Sequence, residues 1–123
     1  MTQQSLELQL PAVEPIRFPV GKRIEFGFRF LDMMDPGWRD RIDRERLDIS
    51  SPVHCCFGQL YRHYLNGCSQ YYLEPLTEAA QMGFSVLDPE SPDVQREYEA
   101  LTRGWKFAID HPHLRMKRLK IAA

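Results

Sequence analysis

Five residues in the middle of the chain are of the types that do chemistry: His54, Cys55, Cys56, His63 and Cys68. Zinc takes cysteine and histidine ligands, so a metal centre is the first reading to weigh. The spacing speaks against it. There is no Cys-x-x-Cys pair. On a helix through this stretch Cys55 would point away from the apolar stripe. Cys56 and His63 would share a flank two turns apart, about 10 Å by the helical rise. One ion with bonds of about 2.0–2.3 Å does not span that gap. The expectation is a surface Cys55, a half-buried Cys56 and a core-edge His63, with no metal and no cofactor. A cysteine nucleophile with His54 or His63 as its base is a second reading, but no nucleophile turn and no evident oxyanion donors accompany it. Asp32, Asp35, Asp40, Asp43 and Asp48 could gather as carboxylates for a metal or for acid–base work. The arginines between them predict a solvated, salt-bridged surface instead. The seven glycines are scattered, with no phosphate-cradling loop among them.

The elements that carry these residues are read from apolar spacing. Leu6, Leu8 and Leu10 alternate with polar residues, and Pro11, Pro15 and Pro19 exclude a helix, so residues 1–20 are expected to be an extended arm. Ile24, Phe26, Phe28 and Phe30 alternate as in a strand, while Ile24, Phe28 and Leu31 also fit one helix face. The alternation slightly favours the strand. A short helix over residues 37–42 would turn Trp38 and Ile42 inward. The clearest helix is expected over residues 50–67. Ser51 and Pro52 open it, Val53, Phe57, Leu60, Tyr61 and Tyr64 form its inward stripe, and Asn66-Gly67 stops it. Gly58 flanks that stripe, where a neighbouring helix could approach. Cys68, Tyr71 and Tyr72 fall in a loop. Pro75 opens a shorter helix with Leu76, Ala79 and Ala80 inward and Gly83 as its stop. Phe84, Val86 and Leu87 form a brief extended segment. After Ser91-Pro92 a last helix runs to Ile109, burying Val94, Tyr98, Leu101 and Trp105, with Glu99 and Arg103 spaced to pair.

Several strings together resemble a known family. They are Asp35-Pro36-Gly37-Trp38-Arg39-Asp40-Arg41-Ile42-Asp43, then Leu47-Asp48-Ile49-Ser50-Ser51, then Cys56-Phe57-Gly58-Gln59-Leu60-Tyr61 with Tyr64 and Gly67. They resemble a family of small uncharacterised proteins of actinobacterial genomes and their phages. The likeness covers residues 22–109, and Gly83-Phe84 and the segment from Tyr98 to Trp105 are also similar. The family tends to place two cysteines a few residues apart before the glycine-glutamine pair. Here Cys55 and Cys56 are adjacent, which weakens the idea of a shared thiol site. The resemblance implies a compact helical protein and tips residues 22–34 towards helix. It implies a phage or mobile-element origin and no particular activity.

Size and charge narrow the function. A chain of 123 residues and 14.5 kDa is one domain's worth. With 43% hydrophobic and 27% charged residues, the composition is that of a globular domain. No apolar run approaches a membrane span, no signal peptide is evident, and three cysteines suit a reducing, cytoplasmic setting. The net charge of −1 is unevenly spread. From His111 onward Arg115, Lys117, Arg118 and Lys120 face no acidic residue, whereas the remaining residues hold twelve basic and seventeen acidic side chains. The expected fold is all-α, a compact bundle of four to five short helices over residues 21–110, with the arm before it and a basic tail over 111–123. The expected function is a non-enzymatic binding protein acting on a protein partner or on itself, such as a phage inhibitor or adaptor. Its contact residues would be Phe26, Phe30, Met33, Tyr71 and Tyr72, which one core cannot all bury. The alternative is a nucleic-acid accessory protein gripping phosphates with the four basic tail residues.

Overall fold

The computed structural model describes residues 19–112, and all regular structure among them is helical. Helix α1, Val20–Met34, settles the ambiguity of the first apolar segment. Ile24, Phe28 and Leu31 are buried at helical spacing, and the Pro19 carbonyl accepts the first backbone bond, from Arg23 at 3.0 Å. The second apolar face is used too. Phe30 lies edge-on against Tyr71 and Phe84, at 5.0 and 6.3 Å between ring centroids.

Gly37 then reverses the chain at φ 87, a conformation only glycine adopts cheaply. A short 3₁₀ turn, Trp38–Arg41, follows. It drops Trp38 into the core, edge-on to Phe28 at 5.1 Å and to Trp105 at 5.9 Å. The indole N–H donates to Asp32 at 2.8 Å. Four further helices complete the described chain: α2 Cys56–Tyr61, α3 Tyr64–Gln70, α4 Glu78–Gln81 and α5 Val94–Asp110.

The long helix expected over residues 50–67 is instead two helices. The chain bends at Arg62, whose φ is 81, and at the extended His63. Both broken ends are capped by side chains. Asn66 Nδ2 donates to the Tyr61 carbonyl at 3.0 Å, and the His63 ring accepts from the Leu65 amide at 3.1 Å. The reason for the bend is Phe57. A straight helix buries one stripe, whereas the bend surrounds a fully buried Phe57 with Tyr61, Tyr64, Tyr71 and Phe84. Left-handed backbone at Arg62 costs about 1–2 kcal/mol. Full burial of Phe57 returns about 1.5–3 kcal/mol, and each well-placed ring pair adds about 0.5–1.5 kcal/mol.

The same bend corrects several expectations. Gly67 does not stop a helix. It lies inside α3 against the Phe57 ring, which a Cβ would approach to 2.3 Å. Cys68 belongs to α3 rather than to a loop. Gly58 makes room for the Pro52-Val53 backbone rather than for a neighbouring helix, and Val53 is exposed. Likewise α4 begins three residues after Pro75, and Leu76 is exposed while Ala79 and Ala80 are fully buried.

α1 and α5 cross at two glycines. Gly27 faces Trp105, and Gly104 faces Ile24. The Trp105 indole donates to the Gly83 carbonyl at 2.7 Å, and its ring stacks on Phe84, which stacks on Phe57. The buried stripe of α5 is Leu101, Trp105 and Ala108, with Val94 and Tyr98 packed at its edge. Residues 1–18 of the arm expected over 1–20 and residues 113–123 of the basic tail expected over 111–123 lie outside the described residues, and Val20, placed in the arm by the sequence, opens α1 instead.

The close crossing predicts opposite effects of one substitution at two helical glycines. Alanine in a helix usually gains up to about 1 kcal/mol over glycine, and Gly21, with open space around its missing Cβ, should show such a gain. At Gly27 the new Cβ would meet the Met82 carbonyl oxygen and the Trp105 ring. Chemical denaturation should therefore find Gly21→Ala at or above parent stability and Gly27→Ala lower by about 1–3 kcal/mol.

Candidate functional site

The residues that promised chemistry in the sequence are used by the scaffold. Cys55 is 1% exposed rather than at the surface. It caps α2, its sulfur accepting from the Gly58 amide at 3.3 Å. Burial pushes its thiol up to about 11, against the easing effect of the Gly58 amide. Burial drives Cys56 well above the ordinary value, and raises Cys68 against the easing effect of the nearby Tyr64 hydroxyl. His63 caps α3, and exposed His54 shares its Nδ1 with Ser51 Oγ at 3.2 Å. Among the described residues no group of three or more His, Cys, Asp or Glu side chains is arranged to hold a metal ion. The aspartates mostly pair with side chains. Asp43 meets Arg46, Asp35 meets Arg41, and Asp32 accepts from Trp38.

One polar constellation stands out at the junction of α1, the 3₁₀ turn and α2–α3. Arg41 grips Asp35 with two bonds of 2.9 Å. The Tyr61 hydroxyl also donates to that carboxylate, sharing Asp35 Oδ2 with Arg41, at 2.6 Å. Its proton is thereby committed, so the Tyr71 hydroxyl, hydrogen-bonded to it, is the donor of that pair. The Arg41 guanidinium holds the Asp35 carboxyl below the usual carboxylate range, Tyr61 adding to this against the opposing effect of burial. Burial first, then the neighbouring carboxylate, raises the Tyr61 phenol far above its ordinary value.

This network orients Tyr71, one of the residues singled out as contacts, and through it touches Phe30. Tyr71 is half-buried, held by the hydroxyl pair and by Phe30. Phe30 and Phe26 are half-buried, and the Lys22 ammonium lies 5.8 Å from the Phe26 ring centre. Met33 is 71% exposed and Tyr72 is 92% exposed. Phe30 and Tyr71 are therefore in contact, with Met33 less than one turn beyond Phe30 and Tyr72 next to Tyr71. Arg115, Lys117, Arg118 and Lys120 lie outside the described residues.

Sequence reasoning missed Met34 and Arg62. Met34 extends the exposed apolar surface at the end of α1. Arg62 and Tyr72 are the two non-glycine residues with positive φ among those described, at 81 and 56. Each directly follows one of the paired tyrosines. A glycine or asparagine there would have signalled the turn; arginine and tyrosine carry no such signal.

No helix among the described residues is long and apolar enough to cross a membrane. Comparison with family models, curated proteins and solved structures finds no match.

Two outcomes follow from the site. At about pH 8 the raised thiols should react with a disulfide reagent far more slowly in native protein than in denaturant. A fast native phase would show that a thiol reaches solvent. The lowered Asp35 carboxyl stabilises the fold at pH above the ordinary carboxylate value, and this contribution is lost as pH falls through the lower folded value. Melting curves between about pH 6 and pH 3 should therefore fall less steeply for Asp35→Asn than for the parent.

Proposed function

We propose that this chain is a small non-enzymatic binding protein that acts through a protein partner, with the contact surface centred on Tyr72. The observation that carries the reading is the combination of strain and exposure at this residue. Its backbone sits at φ 56 and its side chain is 92% exposed. Left-handed backbone costs an L residue about 1–2 kcal/mol, and the ring buries almost nothing within its own fold. A large side chain kept at such a position finds its use outside the monomer.

Exposed Arg62 repeats the pattern at the end of α2. Tyrosine and arginine are the side chains that dominate interface hot spots. Exposed Met33 and Met34, at the end of the helix whose Phe30 touches Tyr71, offer adaptable apolar area, and the hydroxyl network holds Tyr71 in one orientation, which lowers the entropy cost of binding. The partner that suits this surface is a protein with an apolar slot for a tyrosine ring and acceptors for a guanidinium. An inhibitor or adaptor works through such a contact. The non-enzymatic reading is supported by what the reactive side chains do: the thiols are buried, one of them as a cap, and both oxygens of the best-placed carboxylate, Asp35, are engaged by Arg41, with Tyr61 on one of them as well.

The test is a photo-crosslinking residue at position 72, with one at position 90 as control. A single protein should be trapped from position 72 only; if that protein is this chain, the partner is a second copy. Tyr72→Gly relieves about 1–2 kcal/mol of backbone cost and adds about 0.5–1 kcal/mol of glycine entropy. Its stability should match or slightly exceed the parent's. Binding of the trapped protein should weaken by about 30-fold, as at a hot spot, and Arg62→Gly should act in the same direction. Full binding by Tyr72→Gly, or a marked loss of its stability, would remove the reading.

A further inference from the structure

A groove runs between the turn over residues 48–55 and the outer side of α5. It consists of two adjoining hollows, about 320 and 220 Å³, that share Ser50 and Tyr98. None of the residues of the Tyr72 surface lines it. Its walls are held by bonds of the fold itself. The Ile49 amide donates to Thr102 Oγ1 at 3.0 Å, fastening the turn to α5. Asp48 Oδ1 accepts from both the amide and the hydroxyl of Ser50, at 3.0 and 2.7 Å. In the inner hollow the Tyr64 hydroxyl is committed to the Pro75 carbonyl at 2.6 Å.

The outer hollow keeps hydrogen-bonding capacity that the fold leaves unused. Glu99 receives one long contact, from Gln95 at 3.4 Å. Among the described residues Arg103 makes no ion pair and the Tyr98 hydroxyl makes no hydrogen bond. The spacing of Glu99 and Arg103 would allow them to pair, yet they do not. Around the half-buried Tyr98 ring there are thus acceptors on Asp48 and Glu99, donors on Gln95 and Arg103, and hydroxyls on Ser50 and Tyr98.

We propose that this groove binds a neutral polyhydroxylated molecule the size of a monosaccharide. Two carboxylates against one guanidinium disfavour an anion, and the guanidinium disfavours a simple cation. Vicinal hydroxyls both donate and accept, so they match a wall on which donors and acceptors alternate. The C–H face of a sugar ring matches the apolar side of Tyr98. The inner hollow, lined by Cys55, Tyr64 and Ser85, has room for an exocyclic substituent.

The experiment is saturation-transfer NMR on the full chain with glucose, galactose, mannose, N-acetylglucosamine and myo-inositol, with inorganic phosphate and glycine betaine as charged controls. At least one neutral polyol should bind saturably, with a dissociation constant on the order of 1 mM. Glu99→Ala and Arg103→Ala change exposed side chains. Both should leave the melting temperature in place and weaken binding about 10-fold or more, and Tyr98→Ala should remove it. Binding by none of the polyols, binding by the charged controls alone, or binding indifferent to Glu99→Ala and Arg103→Ala would overturn the proposal.

Discussion

The guanidinium of Arg23 is the tie on which the assembly of this fold depends. It is 2% exposed. It donates twice to the Ala80 carbonyl, once to the Ser85 carbonyl, and meets Glu97 at 3.0 Å. Glu97 also accepts from the Leu87 amide. One side chain of α1 thereby fastens α4, the segment after it and α5. A buried charge without partners costs several kcal/mol, so these backbone segments have one low-energy arrangement around it. The carbonyls that Arg23 collects come from short, irregular pieces that could not order themselves, since a helix of four residues has no stability of its own.

Around that tie the core is a relay of rings. Trp38 meets Trp105, Trp105 stacks on Phe84, and Phe84 stacks on Phe57. Each ring comes from a different element, so the relay fixes the order in which the elements pack. It also accounts for Gly27 at the α1–α5 crossing and Gly67 inside α3, where a ring takes up space that a Cβ would need, while at Gly104 the Ile24 side chain does so.

Much of this was legible in the residues. The inward direction of Trp38, the burial of Leu101 and Trp105 on α5 and the stop at Gly83 follow from spacing and turn chemistry, whereas spacing alone leaned towards a strand where α1 lies. What pattern could not show is where tertiary packing overrides it. The stripe from Val53 to Tyr64 is a good helical template, but it takes no account of a ring that packs better when the helix is cut. Cys55 was misplaced for the same reason, because its direction was deduced from a helix that begins only after it. The chemistry around Asp35 was half legible. The aspartates and arginines announced ion pairs, whereas the partnership with Tyr61 and Tyr71 joins residues far apart in the chain. Strain at Arg62 and Tyr72 had no signature in residue type at all.

The position of Trp105 bears on how the chain is made. The ribosome delivers residues in order, and α1 emerges with its apolar side ready but with no counterpart for Gly27 or Ile24. The three short central helices emerge next, each too brief to persist alone. Only when α5 follows can the Trp38, Phe84 and Gly83 contacts close around its indole. Until that indole is present, the faces of Trp38 and Phe84 that it covers have no partner within the described fold and need shielding from other apolar surfaces.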